Sequence, residues 1–161
     1  MILQPCDVLM FRAGPGAPLL GRLIGWAETA LRQPGSGQRN YYHVAFVSDD
    51  TRLMWSAQPP VIDRYPIVSP LPDYIEVRRP APALTPAEVA NILAYAQTRR
   101  GVWYDFIGCL TAGYVEVGGL EFCSKFLNDA FSHAPRVVVP DATLISPDAV
   151  GSAPMLQERA A

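Results

Sequence analysis

Short apolar runs dominate the hydrophobic pattern of the first half of the chain. Runs rich in β-branched and aromatic residues, bounded by turn residues, predict strands. These runs cover residues 7–12, 41–48, 52–58, 61–68 and 74–79. Residues 41–48, YYHVAFVS, predict a strand that is buried on both faces, because both alternating sets of positions are largely apolar. A turn at Asp49-Asp50 predicts that this strand and the next form a hairpin.

A second period, with apolar residues three and four positions apart, predicts helices. It appears over residues 19–32, between a GPGAP turn at 14–18 and a flexible loop at 34–40. It appears again from Phe122 to Ser132. Residues 102–113 predict a short helix or a loop.

The strongest helix signal lies at TPAEVANILAYAQTRRG. Thr85 and Glu88 form a capping box, with a proline between them at the first helical position. Arg99 and Arg100 suit the negative C-terminal end, and Gly101 suits the position after the helix. The predicted helix runs from about residue 86 to 100.

These elements predict an α+β fold in one domain. Strands and helices do not alternate regularly, so an antiparallel sheet packed against helices fits better than a parallel, doubly wound sheet. A short strand is predicted at residues 137–140, VVVP, and the domain extends over residues 1–150. Residues 151–161 are expected to form a frayed tail.

Composition and charge restrict the function classes. Hydrophobic residues make up 50% of the 161 positions and charged residues 17%, which supports a packed core, and the 16 prolines indicate short elements joined by loops. The net charge is −2 and no basic stripe is present, so nucleic acid is not an expected partner. We expect no transmembrane segment either, because no apolar run is long enough to span a bilayer.

Cysteine usage and the N-terminus bear on compartment. Three widely spaced cysteines, Cys6, Cys109 and Cys123, do not form a disulfide framework or the spacing of a structural zinc site. The segment MILQPCDVLMF lacks the basic and apolar regions of a signal peptide. A cytoplasmic location is therefore expected, with a phage-type route of export as an alternative.

One cysteine stands at the start of a predicted helix. The N-terminal end of a helix and a nearby imidazolium both favour the thiolate form of Cys123. Of the two histidines, His133 lies at the far end of the same helix, whereas His43 lies on a predicted strand on which the helix can pack. If a Cys–His pair exists, it is Cys123 with His43. The alternative is that both are ordinary core residues, as Cys6 and Cys109 are expected to be.

Four segments resemble the permuted papain-like hydrolases, a YiiX-like group related to NlpC-type peptidases and lecithin–retinol acyltransferases. CDVLMFR is similar to the strand GDVLLF of that group, and YYHVAFV to YSHVGIV. GVWYDFIG is similar to G-x-P-Y-D-F-x-G, and FCSKFLNDAF to YCSELVxxAF. The order, with the histidine strand before the cysteine helix, is the reverse of that in papain. The resemblance spans residues 5 to about 148 and implies a circularly permuted papain-like fold, with a sheet or partial barrel packed on helices.

The resemblance implies roles for particular residues. Cys123 matches the nucleophile, His43 the general base and Tyr104 a tyrosine of the substrate cleft, with Asp105 beside it. The group often carries YEA on the strand after the histidine, whereas this chain has WSAQ. A neutral residue, Ser56 or Gln58, therefore takes the position of the third polar residue that orients the imidazole.

The expected activity is that of a cysteine hydrolase or acyltransferase. Its substrate would be a small peptide, a peptidoglycan fragment, or a lipid amide or ester, and neither a cofactor nor a metal is required. The backbone N–H of Cys123 would hold the oxyanion, and residues 33–40 and 112–121 would border the cleft. Two alternatives stay open: a papain-like shell retained as a binding or structural module, and metal binding through Cys and His, for which the spacing is poor.

Overall fold

The computed structural model describes residues 2–13, 41–110, 118–134 and 145–158. Its centre is one antiparallel sheet of six strands in the order β4-β3-β2-β1-β5-β6. The strands are β1 (Val8–Arg12), β2 (Tyr41–Val47), β3 (Leu53–Gln58), β4 (Val61–Pro66), β5 (Ile75–Pro80) and β6 (Leu156–Glu158). The α+β class and the antiparallel sheet are thus confirmed, and the first five strands lie where the apolar runs predicted them.

Four helices are present in the described part of the chain. They are α1 (Pro86–Thr98), α2 (Phe106–Leu110), α3 (Cys123–Ser132) and α4 (Pro147–Gly151). The capping box of α1 is formed, because the backbone N–H of Glu88 donates to Thr85 Oγ1 and the backbone N–H of Thr85 donates to the Glu88 carboxylate at 2.7 Å. Gly101 has a φ of 85°, as expected of a glycine after a helix end.

Four sequence predictions lie outside the described residues, and a fifth, for the C-terminal tail, is wrong. The helix predicted at residues 19–32 and the strand at 137–140 lie outside the described residues, as do the turn at 14–18 and the loop at 34–40. The tail predicted to be frayed instead contains β6, where Arg78, Arg79 and Pro80 of β5 pair with residues 156–158. This pairing joins segments about 80 residues apart, so local composition did not indicate it.

The sheet separates two groups of buried apolar residues. We call the group under the helices the helix-side cluster; among its members are Met10, Val44 and Phe46 from the sheet, and Phe126 and Phe131 from α3. The Phe46 ring lies 5.5 Å from that of Phe126, so α3 packs on this face of β2. The second group, which we call the outer cluster, contains Leu9, Phe11, Tyr42, Ala45, Val47 and Val77.

A β-bulge at the start of β2 decides which way its aromatic residues point. Residue partners run regularly from Val8–Phe46 to Phe11–His43, after which Arg12 pairs with Tyr41, so Tyr42 is an extra residue in β2. The Tyr42 and His43 rings are stacked, with centroids 6.4 Å apart. Regular alternation predicted that Tyr42 lies on the opposite face from His43; the bulge places both on the side of Phe11.

Candidate functional site

The structure brings His43 and Ser56 into direct contact. His43 Nε2 lies 2.7 Å from Ser56 Oγ, a hydrogen bond between β2 and β3. The register of the two strands explains the contact, because Phe46 pairs with Trp55 and this places Ser56 diagonally opposite His43 on the same face. Ser56 is fully buried, so its hydroxyl group holds the imidazole in one orientation.

Apolar surroundings determine the charge state of His43. The ring lies 5.1 Å from the Phe11 ring and stacks on Tyr42, both in the outer cluster. Burial lowers the pKa of His43 from 6.5 to about 4, because the charged form loses its hydration. The imidazole is therefore neutral at pH 7, which is the form that accepts a proton.

The other candidate for the third polar residue has a different contact. Gln58 is half-buried at the end of β3, where it pairs with Val61. Its side chain hydrogen-bonds Tyr65, and this bond lowers the phenol pKa that burial raises. Ser56, and not Gln58, is therefore the hydrogen-bond partner of His43 in this structure.

Cys123 is the first residue of α3, as the sequence predicted. Its side chain is buried in the helix-side cluster, and Phe122 before it provides no side-chain hydrogen bond to cap the helix. Ser124 Oγ donates to the carbonyl of Ile145 at 2.5 Å and fixes the start of α3 against the segment before α4. The thiol therefore lies at the N-terminal end of α3, which is the positive end of the helix dipole.

Tyr104 and Asp105 lie beside the start of α3. Tyr104 forms a parallel bridge with Glu121, and the N–H of Asp105 donates to the Glu121 carbonyl at 3.0 Å. Asp105 Oδ1 accepts from the N–H of Gly108 at 2.8 Å, which caps α2. Both side chains are buried, so in this structure they support the segment before Cys123.

The predicted site residues thus form two groups. His43 and Ser56 share the face of the sheet that carries the outer cluster, whereas Tyr104 and Cys123 belong to the helix-side cluster. Alternation along β2 produces this division, because Val44 and Phe46 point towards α3 and His43 points the other way.

The remaining cysteines and the second histidine have other surroundings. Cys6 is fully buried, and burial raises its pKa to about 12, with a smaller contribution from Asp7. Cys109 is buried in α2. His133 follows the last residue of α3, stacks on Tyr95 at 4.2 Å and contacts the Asp129 carbonyl through Nδ1 at 2.9 Å.

Sequence reasoning missed one contact near Cys123. The sequence predicts that Arg99 interacts with the α1 dipole, whereas in the structure its Nε lies 2.6 Å from the carboxylate of Glu121. Glu121 is two residues before Cys123 and its side chain is 4% exposed. The only sequence signal was an acidic residue in an otherwise apolar stretch, and nothing local indicated that its partner lies more than 20 positions earlier.

The described part of the chain contains neither a cluster of metal ligands nor a membrane-spanning helix. There, no three or more His, Cys, Asp or Glu side chains come together to form a metal site. In the same residues, no helix has both the length and the apolar character needed to cross a bilayer. Of the two predicted cleft borders, residues 33–40 and 112–117 lie outside the described residues, and residues 118–121 form the approach to α3.

Comparison with known proteins identifies a structural neighbour. The fold is similar to that of the metalloprotein YiiX from Escherichia coli O157:H7, with a TM-score of 0.69 and 16% sequence identity over 98% of this chain and 97% of that one. No protein-family model and no curated protein matches the chain. The likeness shows a YiiX-like fold over the whole domain.

Proposed function

We propose that the chain is a cysteine hydrolase that cleaves an amide or ester bond, with Cys123 as nucleophile and His43 as general base. The observation that carries the proposal is the hydrogen bond of 2.7 Å between His43 Nε2 and Ser56 Oγ. It occupies the position at which the resemblance to permuted papain-like hydrolases expects an orienting residue. The YiiX-like fold over 98% of the chain agrees with the YiiX-like part of that resemblance.

The proposed reaction uses groups of this chain alone. The Cys123 thiol loses its proton to His43, and the thiolate attacks the substrate carbonyl to form an acyl-enzyme. The reaction uses the tautomer in which Nε2–H donates to Ser56 Oγ, so that Nδ1 takes the proton and returns it to the leaving group. Water, or another acceptor in an acyl transfer, then releases the acyl group. The backbone N–H of Cys123 stabilises the oxyanion.

This reaction makes one geometric demand. His43 packs in the outer cluster and Cys123 in the helix-side cluster, on opposite faces of the sheet, so proton transfer needs a rearrangement of β2 that brings the imidazole to the helix side. The same packing favours a second candidate function, a binding or structural module that retains the shell of a hydrolase. The replacement of a charged third residue by neutral Ser56 also favours this second candidate.

The proposed substrate class rests on the family resemblance, whereas the question of a metal is judged from the ligand residues of this chain. The resemblance favours a peptide, a peptidoglycan fragment or a lipid amide or ester as substrate. YiiX is described as a metalloprotein, but the described residues of this chain do not assemble a donor set. The stretches outside them contribute only Glu28, Glu116 and Asp141 of the usual ligand types. The proposed mechanism therefore contains no metal step.

Alkylation of Cys123 by iodoacetamide across pH tests the proposal. With peptide-resolved mass spectrometry, we expect Cys123 to react with a midpoint below the value of about 8.5 of an ordinary thiol. His43→Ala is expected to return the midpoint towards that value. Cys6 serves as an internal control, because its raised pKa keeps it unreactive at neutral pH. An ordinary midpoint that His43→Ala leaves unchanged would support the binding module instead.

A further inference from the structure

A buried ion pair joins α1 to the segment that leads into α3. Arg99 Nε lies 2.6 Å from Glu121 Oε1, and the Tyr95 hydroxyl donates to the same oxygen at 3.3 Å. The second carboxylate oxygen, Oε2, is buried and has no hydrogen-bond partner among the described residues. Burying a carboxylate oxygen without a hydrogen-bond partner costs free energy. The Glu121 side chain is therefore not placed here because it stabilises the fold by itself.

The backbone of Glu121 is held as firmly as its side chain. Its N–H donates to the Trp103 carbonyl at 3.4 Å, and its carbonyl accepts from the N–H of Asp105 at 3.0 Å. Cys123 follows two residues later, within about 7 Å along the chain. Any displacement of Glu121 is therefore transmitted to the first turn of α3.

The charges that face Glu121 come from two helices. Burial raises the pKa of the Glu121 carboxyl, and Arg99, the residue that follows α1, lowers it by a smaller amount. From α3, Asp129 raises this pKa and Lys125 lowers it. Lys125 and Asp129 also pair with each other at 2.9 Å. Arg99 is therefore the main cation that offsets the Glu121 charge near the thiol.

We propose that Glu121 and Arg99 are positioning residues for Cys123. Glu121 anchors the extended segment that begins α3, and Arg99 cancels a negative charge that would otherwise disfavour the thiolate. The proposal rests on the proposed function only in treating Cys123 as the nucleophile. It does not depend on His43.

The test measures thiolate formation directly. The ultraviolet absorbance of the thiolate is titrated in each variant, and the titration of the same variant carrying Cys123→Ser is subtracted. Glu121→Gln is expected to lower the Cys123 midpoint by about one pH unit, because the positive Arg99 then acts alone. Arg99→Gln is expected to raise it by about 0.5–1 unit, and the double variant is expected to lie near wild type.

Controls separate positioning from general stability. Asp7→Asn breaks another buried ion pair, with Arg79 at 2.6 Å, and should lower stability without moving the Cys123 midpoint. Arg99→Lys keeps the charge and should restore the wild-type midpoint, even if Arg99→Gln does not fold. Equal midpoints in wild type and Glu121→Gln would overturn the proposal. A His43→Ala variant with no effect would reject the catalytic pair and leave this result standing.

Discussion

Burial of His43 links its protonation to folding. Its pKa is about 4 in the folded protein and about 6.5 in an unfolded chain, so between these values the unfolded state binds more protons. The stabilising effect of the neutral ring is therefore complete above about pH 6.5 and is lost as pH falls towards 4. The same neutral ring is the form that a general base requires at pH 7.

The lowered pKa of His43 predicts that part of the pH dependence of stability disappears when His43 is replaced. Between pH 7 and pH 5, wild type should lose about 1 kcal/mol more unfolding free energy than His43→Gln, after screening at a half-buried site is taken into account. Urea denaturation at the two pH values measures the difference. His133→Gln is the matched histidine control. An equal loss in wild type and His43→Gln would contradict the assigned burial effect.

The helix α2 packs closely against the segment that leads into α3. The helix α2 lies so close to this segment that a Cβ on Gly108 would stand 2.4 Å from Asp105 Oδ2 and 2.9 Å from Phe122 Cδ1. Glycine is therefore needed here for space, because the residue is helical and has no unusual backbone angle. Gly108 is the last residue of the motif GVWYDFIG, and its lack of a side chain lets α2 approach the start of α3.

The close approach predicts the effect of a single methyl group. Gly108→Ala should lower the unfolding free energy by about 2 kcal/mol, the typical cost of overpacking a well-filled site. Gly118→Ala is the matched control, because nothing lies within 4 Å of a Cβ there. It should change stability by less than about 0.5 kcal/mol. Similar values for the two variants in urea denaturation would show that Gly108 has room for a side chain.

At the scale of the whole molecule, a buried charged group connects the sheet to the last helix. Arg78 on β5 donates to Glu76 at 2.7 Å, to the Tyr41 hydroxyl on β2 at 3.4 Å and to the Gly151 carbonyl at the end of α4. The backbone N–H of Tyr41 in turn donates to Asp148 of α4 at 2.8 Å. These bonds unite residues from positions 41 to 151, so the C-terminal segment belongs to the domain.

Removing the central arginine is expected to destabilise the whole domain. Arg78→Met should cost about 3 kcal/mol, because the Glu76 carboxylate and the Gly151 carbonyl lose a buried partner. Arg52→Met is the control, since Arg52 is exposed and its pair with Asp50 should contribute little. Thermal unfolding monitored by circular dichroism compares the two. Equal melting temperatures for the two variants would contradict a structural role for this charged group.

The sequence by itself determined features that depend on neighbouring residues. The capping box of Thr85 and Glu88, the start of α3 at Cys123 and the five apolar strands all follow from sequence patterns among residues a few positions apart. The α+β class followed from the order of these elements. The contact between His43 and Ser56 could also be predicted from the sequence, because a hairpin register places the two residues on one face.

Only the tertiary structure decided where those features face and what they meet. The bulge at Tyr42 turned two aromatic residues to one side, and the ion pair of Arg99 with Glu121 joined segments far apart in the chain. The pairing of β6 with β5 gave the last residues a place in the sheet. Such contacts depend on long-range packing, which no local pattern specifies. For this reason Cys123 and His43 were each found from the sequence, but their placement in different clusters was not.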